Sequence, residues 1–156
     1  MASESGVTRG GDSIGGVVWD VMGQTYKPVQ VSDASFAFDT LFPPGTFVPP
    51  HVHPDQDEFI RVLEGSFDLW LDGEETSAAA GDLVRLPLGS RHGIFNRSAA
   101  PTRALFWVAP ARRLYDLFVQ LDGLRAPEEV VRRSAEHNVH FLPPDQWPSA
   151  RYLPPA

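Results

Sequence analysis

Two stretches decide how this chain folds: GTFVPPHVHPDQDEFIRVLEG at residues 45–65 and GDLVRLPLGSRHGIFN at residues 81–96. They hold His51, His53 and Glu58 in close succession, and then His92. Extended chain sends alternate side chains to one face, which puts His51 and His53 about 7 Å apart on the same side of a strand. Residues 54–57 suffice for a turn, so Glu58 can open the next strand opposite them. His92 follows a Pro-x-Gly turn, where a neighbouring strand can carry it across. Three neutral imidazole nitrogens and one carboxylate oxygen suit Fe, Ni, Cu or Zn, with positions left for water, dioxygen or a chelating substrate. A lone His-x-His pair or a lone strand-end glutamate is common without metal. The weight lies in the combination, because three of the chain's five histidines fall at ligand-compatible places between turn residues.

On either side of these stretches the pattern is short strands and turns. Residues 1–16, rich in Gly and Ser, offer little to bury and read as a flexible arm. Strands are expected at 17–22 and 24–31, and at 35–42, where Phe36, Phe38, Thr40 and Phe42 share a face. Further strands are expected at 59–63, 66–71, 76–79, 83–86, 93–96 and 102–108, with Asp72-Gly73 as a hairpin turn. Evenly spaced short strands predict an all-β sandwich or barrel over residues 17–110. Residues 111–156 form a different segment, a tail packed on that barrel. Leu114, Tyr115, Leu117, Phe118 and Leu121 predict an amphipathic helix over 111–121, ended by Gly123. Pro127-Glu128-Glu129 opens a second helix that runs to about His137, with Asn138 as its stop. Phe141 and Leu142, before two prolines, read as extended.

Composition narrows the partners. A net charge of -7 in 156 residues argues against nucleic acid or an anionic membrane surface. Without cysteine there is no disulfide framework and no thiolate ligand or nucleophile. No apolar run approaches the ~20 residues of a membrane span. The first residues lack the basic-then-apolar order of a signal peptide, so the expectation is a soluble cytoplasmic protein. Exposed sheet edges predict a homodimer.

Gly45, His51, His53, Glu58 and Gly65 match the first cupin motif. Gly81, Pro87, Gly89, His92 and Asn96 match the second. The chain thus resembles the compact single-domain cupins over roughly residues 17–108. The resemblance implies a double-stranded β-helix, a jelly-roll barrel with a short helical tail. It also implies a divalent metal at the barrel mouth, held by His51, His53, Glu58 and His92. A looser likeness to the quercetin-dioxygenase-like group implies an oxidoreductase, a mononuclear dioxygenase that uses iron or nickel ahead of manganese, copper or zinc. Its substrate would be a small hydroxylated aromatic or enol, with Glu58 doubling as a catalytic base. The alternatives are a zinc-dependent cyclase or isomerase, and a small-molecule-binding cupin without catalysis.

Around the site, Phe47 and Phe95 are the expected pocket walls, each three or four residues from a ligand histidine. Most other aromatic residues, among them Phe67, Trp70, Phe106 and Trp107, are expected in the core. Asp55 and Asp57 are expected to face solvent, and Asn96 to orient His92 or close a turn. Arg61 and Arg85 are read as strand-surface residues before substrate clamps. His137 and His140 are read as surface or capping residues.

Overall fold

The inward-facing run Phe36, Phe38, Thr40 and Phe42 is the spine of a six-stranded sheet. The computed structural model describes residues 4–147. Among these residues lie β1 (Trp19–Val21), β2 (Gln24–Val31), β3 (Phe36–Phe42), β4 (Phe47–Val52), β5 (Asp57–Glu64) and β6 (Ser66–Leu71). After them come β7 (Glu74–Ala79), β8 (Leu83–Leu86), β9 (Arg91–Phe95) and β10 (Thr102–Ala109). Helices α1 (Leu114–Leu121) and α2 (Pro127–Glu136) follow, and β11 (His140–Phe141) closes the set. The strands form two antiparallel sheets, β1-β2-β3-β10-β5-β8 and β11-β4-β9-β6-β7, packed face to face as a jelly-roll double-stranded β-helix.

Alternation does most of the folding. On β10 the inward set is Thr102, Ala104, Phe106 and Val108, and on β5 it is Glu58, Ile60 and Val62. Phe42 stacks on Phe106 at 5.9 Å and meets Phe67 edge-on at 4.9 Å, tying the two sheets through ring contacts. Two expected core residues sit elsewhere. Trp107 faces outward from β10, half-buried, with its ring stacked on Phe59 at 5.3 Å. The other is Trp70 on β6. It lies opposite Gly93 in the β6–β9 ladder, on the outward face, buried beneath the Arg91 guanidinium 5.9 Å away.

Asp72 and Gly73, at φ 48 and 97, close the β6–β7 hairpin as a two-residue turn, as the Asp-Gly pair predicts. Met22 and Gly23 make the same kind of turn between β1 and β2, with a methionine at φ 51. That position carries no sequence signal, since methionine is not a usual left-handed residue.

The helical tail covers one open end of the barrel. Phe118 on α1 lies 4.9 Å from Phe38 and 5.0 Å from Tyr26, ring centre to ring centre. Helix α1 begins at Leu114 rather than at residue 111, because Arg112 sits at φ 48 and interrupts the helical path. Helix α2 starts on Pro127 with Glu128 and Glu129 in its first turn. It ends in a Schellman arrangement: Val139 N–H donates to the Ser134 carbonyl, and Asn138, at φ 60, donates to Ala135. The amino-terminal arm touches the sheet, with Thr8 Oγ1 donating to the Val29 carbonyl and Lys27 Nζ to that of Gly11.

Candidate metal centre

Three structural contributions bring the four donors together. His51 lies on β4 directly opposite His92 on β9, both in the five-stranded sheet. His53 follows the end of β4, and Glu58 faces inward from β5 in the other sheet. The two motifs interlock through the backbone: Gly89 N–H donates to the His53 carbonyl at 2.9 Å, and Gly45 N–H to the Asn96 carbonyl at 2.8 Å. One ligand atom from each of His51, His53, Glu58 and His92 lies within 4.8 Å of the others, and all four residues are buried.

Each imidazole is held from behind. His51 Nδ1–H donates to the Pro49 carbonyl at 2.8 Å. His53 Nδ1 lies 2.8 Å from Gln56 Oε1. The Gln56 amide cannot be turned round, because its Nε2 donates to the carbonyls of Pro110 and Ala111 at 3.0 and 2.8 Å. His53 Nδ1 is therefore the donor to Oε1, and its Nε2 keeps a free lone pair for the centre. His92 has the Ser90 carbonyl 3.3 Å from Nδ1 and Glu58 Oε2 2.9 Å from Nε2.

The electrostatics suit a cation. Burial, then the neighbouring imidazoles of His92 and His53, push His51 well below its ordinary range. Burial likewise lowers His53, against the pull of Glu58. Both rings are thus neutral, as metal ligation requires. Burial pushes the Glu58 carboxyl up, but at acid pH, where the imidazoles take up protons, His53 and the N–H of His92 outweigh it and hold it down at about 2. A negative oxygen beside neutral nitrogen donors fits a divalent transition ion, which would replace the proton between His92 and Glu58.

His51, His53 and Glu58 stand in the wall of a cavity of about 90 Å³ between the sheets and the helical tail. The rest of the wall is mainly apolar and includes Phe38, Phe106, Leu117 and Phe118. Phe47 lines this cavity and Phe95 does not. Alternation on β9 sends His92 and Ile94 inward and Phe95 to the other face; Phe47, its cross-strand partner on β4, borders the cavity but has its ring stacked on Phe95 at 5.6 Å.

Among the neighbours, Asn96 closes a turn, and its side-chain hydrogen bonds go to residues other than His92. Its Nδ2 donates to the carbonyls of Phe42 and Ala100, and its Oδ1 accepts from Ser98. Asp55 pairs with Arg112 at 3.3 Å, and Asp57 caps the Leu88 N–H at 2.9 Å. Arg61 and Arg85 are exposed on the strand surface, and Arg61 donates to the Gly81 carbonyl. His140 is exposed, but His137 is not at the surface. It is the buried cap of α2, with Nδ1–H on the Arg133 carbonyl and Nε2 facing Arg113 and Gln120.

Four residues at the site went unmarked in the sequence: Gln24, Tyr26, Gln56 and Ser134. Tyr26 and Gln24 alternate inward on β2, and the Tyr26 hydroxyl donates to Gln24 Oε1. Burial, then the Glu58 charge, raises the Tyr26 phenol and keeps it neutral. Period-two reading of residues 24–26 could have found that pair. Gln56 and Ser134 take their roles from tertiary contacts and leave no local signal.

Two sheets wound as a double-stranded β-helix enclose a buried three-histidine, one-glutamate group that suits a divalent metal ion. Residues 38–108 match the family model described as "Cupin domain", and the chain carries a cupin domain. It is similar to "Tetracenomycin polyketide synthase protein TcmJ" of Streptomyces glaucescens, 34% identical over 67 residues, 43% of this chain and 45% of that one. It is 44% identical over 48 residues to "Quercetin 2,3-dioxygenase" of Bacillus subtilis (strain 168), 31% of this chain and 14% of the relative. The chain spans about half or less of the length of these relatives. Among solved structures, KdgF from Halomonas sp. superposes with a TM-score of 0.63 at 23% identity, over 72% of this chain and 99% of that one, which shows the shared fold. No helix among the described residues is long and apolar enough to cross a membrane.

Proposed function

We propose that this chain is a metal-dependent enzyme, a mononuclear dioxygenase for a small, neutral, enolic or phenolic substrate. The observation that carries the proposal is the four-donor group within 4.8 Å, set in the wall of an apolar cavity. His51, His53, Glu58 and His92 would hold the ion, iron or nickel ahead of manganese, copper or zinc. Once bound, the ion supplies Lewis acidity and a path for electrons between substrate and dioxygen.

The chain's own contributions are separate from that chemistry. The Nδ1 bonds to Pro49 and Gln56 orient His51 and His53. A carboxyl held down at about 2 keeps its charge across the neutral range, which supports a ligand role for Glu58 ahead of proton shuttling. The aromatic wall excludes water from the substrate. The cavity volume of about 90 Å³ is below the roughly 150 Å³ of an apolar cavity that accepts benzene. It favours the small end of the substrate range, and any ring enters only as the α1–α2 cover shifts.

The test is oxygen uptake by protein loaded with Fe(II) or Ni(II), offered catechols, flavonols and short enols. Substrate-dependent uptake that disappears in His92→Ala is the expected result. Product formed equally under nitrogen by the zinc-loaded protein would instead establish a cyclase or isomerase. That second reading is favoured by the relative named as a polyketide synthase protein, which aligns with more of this chain than the dioxygenase does. Saturable binding without turnover under either gas would leave a small-molecule-binding cupin. The proposal includes a homodimer, supported by Leu41, Leu63 and Leu83 exposed on the outer face of the six-stranded sheet. Light scattering on the eluting protein reads the mass directly.

A further inference from the structure

Helix α2 turns Val130 and, one turn later, Ser134 toward the barrel. Val130 belongs on that apolar stripe, and Ser134 does not. Ser134 is 1% exposed and stands in the wall of the cavity that borders the donor group. Its Oγ has no hydrogen-bond partner, although its carbonyl is used by the helix end, accepting from His137 and Val139. The other polar groups in that wall each bond within the protein. Tyr26 donates to Gln24, Gln24 to the Phe47 carbonyl, His51 to Pro49 and His53 to Gln56.

An unpartnered hydroxyl facing hydrocarbon is worse for folding than a methyl group in the same place. Alanine is nearly the same size and the better helix former. The hydroxyl therefore gains its value from something that enters the cavity. No arginine or lysine lines the wall, so an anionic group beyond reach of the metal would have no counter-charge there.

We infer that Ser134 is a substrate-recognition residue, whose hydroxyl bonds one oxygen of a small neutral molecule while a second oxygen of that molecule meets the donor group of His51, His53 and Glu58. This rests on the reading of the site as a metal-dependent substrate centre and adds the ligand's pattern: a short apolar body with an oxygen at each of two points. Ser134 thus selects for the second oxygen.

The experiment uses the full chain in zinc-loaded and metal-free forms, wild type and Ser134→Ala, with 4-hydroxy-2-butanone and 2-butanone as probes. Zinc is redox-silent, so absence of oxygen uptake would count against the dioxygenase reading and leave this measurement untouched. Ligand-free Ser134→Ala is expected to melt about 2–4 °C higher than wild type, since it removes an unsatisfied buried hydroxyl. In NMR titrations the zinc-loaded wild type should favour the hydroxyketone, and Ser134→Ala should bind it about fivefold more weakly. Binding of 2-butanone should be the same in both proteins. A wild type that takes the two ketones alike, or takes neither, overturns the inference. A Ser134→Ala protein that melts lower or unchanged also overturns it, by showing the hydroxyl satisfied by the protein or an ordered water. Preference appearing equally in the metal-free form would keep the Ser134 role and count against the metal as the second anchor.

Discussion

Gln56 joins two parts of the molecule that are far apart in sequence. One end of its amide receives the His53 Nδ1–H, and the other donates to Pro110 and Ala111, where the barrel passes into the helical tail. Replacing it with alanine frees the His53 ring and strands two carbonyls. Gln56→Ala is expected to lower metal affinity tenfold or more, measured by competition with a chromophoric chelator. It should also cost about 1–3 kcal/mol of stability in urea unfolding. Unchanged metal affinity would mean that packing alone holds His53. At this scale the four ligands were legible, because His-x-His and a strand-opening glutamate follow from strand alternation. Gln56 was not, because the two carbonyls that fix its amide lie beyond residue 109.

At the scale of elements, two glycines in left-handed turns separate conformation from packing. Gly73 is at φ 97 with nothing within 4 Å of where a Cβ would stand. Gly65 is at φ 82, and a Cβ there would lie 2.8 Å from the Pro101 carbonyl oxygen and 2.8 Å from Thr102 Oγ1. Gly73→Ala is expected to cost about 1–2 kcal/mol, the backbone penalty alone. Gly65→Ala should cost more than about 2 kcal/mol, since backbone must also move. Equal losses in urea unfolding would contradict the contact at Gly65. Both turns were readable as glycine positions, and so were the strands that they join. The Met22 turn was unreadable, because the pairing of Val21 with Gln24 imposes it against residue preference. The late start of α1 was unreadable too, since the apolar spacing continues through Ala111 while Arg112 leaves the helical backbone region.

For the whole molecule, the buried donor group ties folding to pH. His51 and His53 are lowered from 6.5 by burial, and Glu58 is lowered from 4.5 to about 2. Between the ordinary and the lowered values the unfolded chain binds more protons than the folded one, so folding weakens as pH falls. The histidine contribution is intact above about pH 6.5 and declines below it. That of Glu58 is intact above about 4.5 and declines toward 2. Chelator-treated protein should therefore melt at a steady temperature from pH 8 to 7 and at falling temperatures below 6.5. Bound metal should raise the whole curve and steepen its acid side, because protons then compete with the ion for the same nitrogens. A melting temperature independent of pH from 7 to 4 would show that these groups are not neutral and buried as described.

The sequence by itself determined the strand alternation, the turn glycines and the cluster of His51, His53 and Glu58, because each depends on residues within a few positions of one another. His92 was legible from its own Pro-x-Gly turn. A period of two, a left-handed turn and a His-x-His pair are local properties of the chain. Tertiary structure alone decided what surrounds those donors. The two carbonyls that orient Gln56, the burial of His137 and the unpartnered Ser134 hydroxyl come from elements that meet only when the tail docks. Metal-ligand identity can be written into a short stretch of chain, whereas a cavity wall is assembled from residues of β1 to β5, β9, β10, both helices and β11.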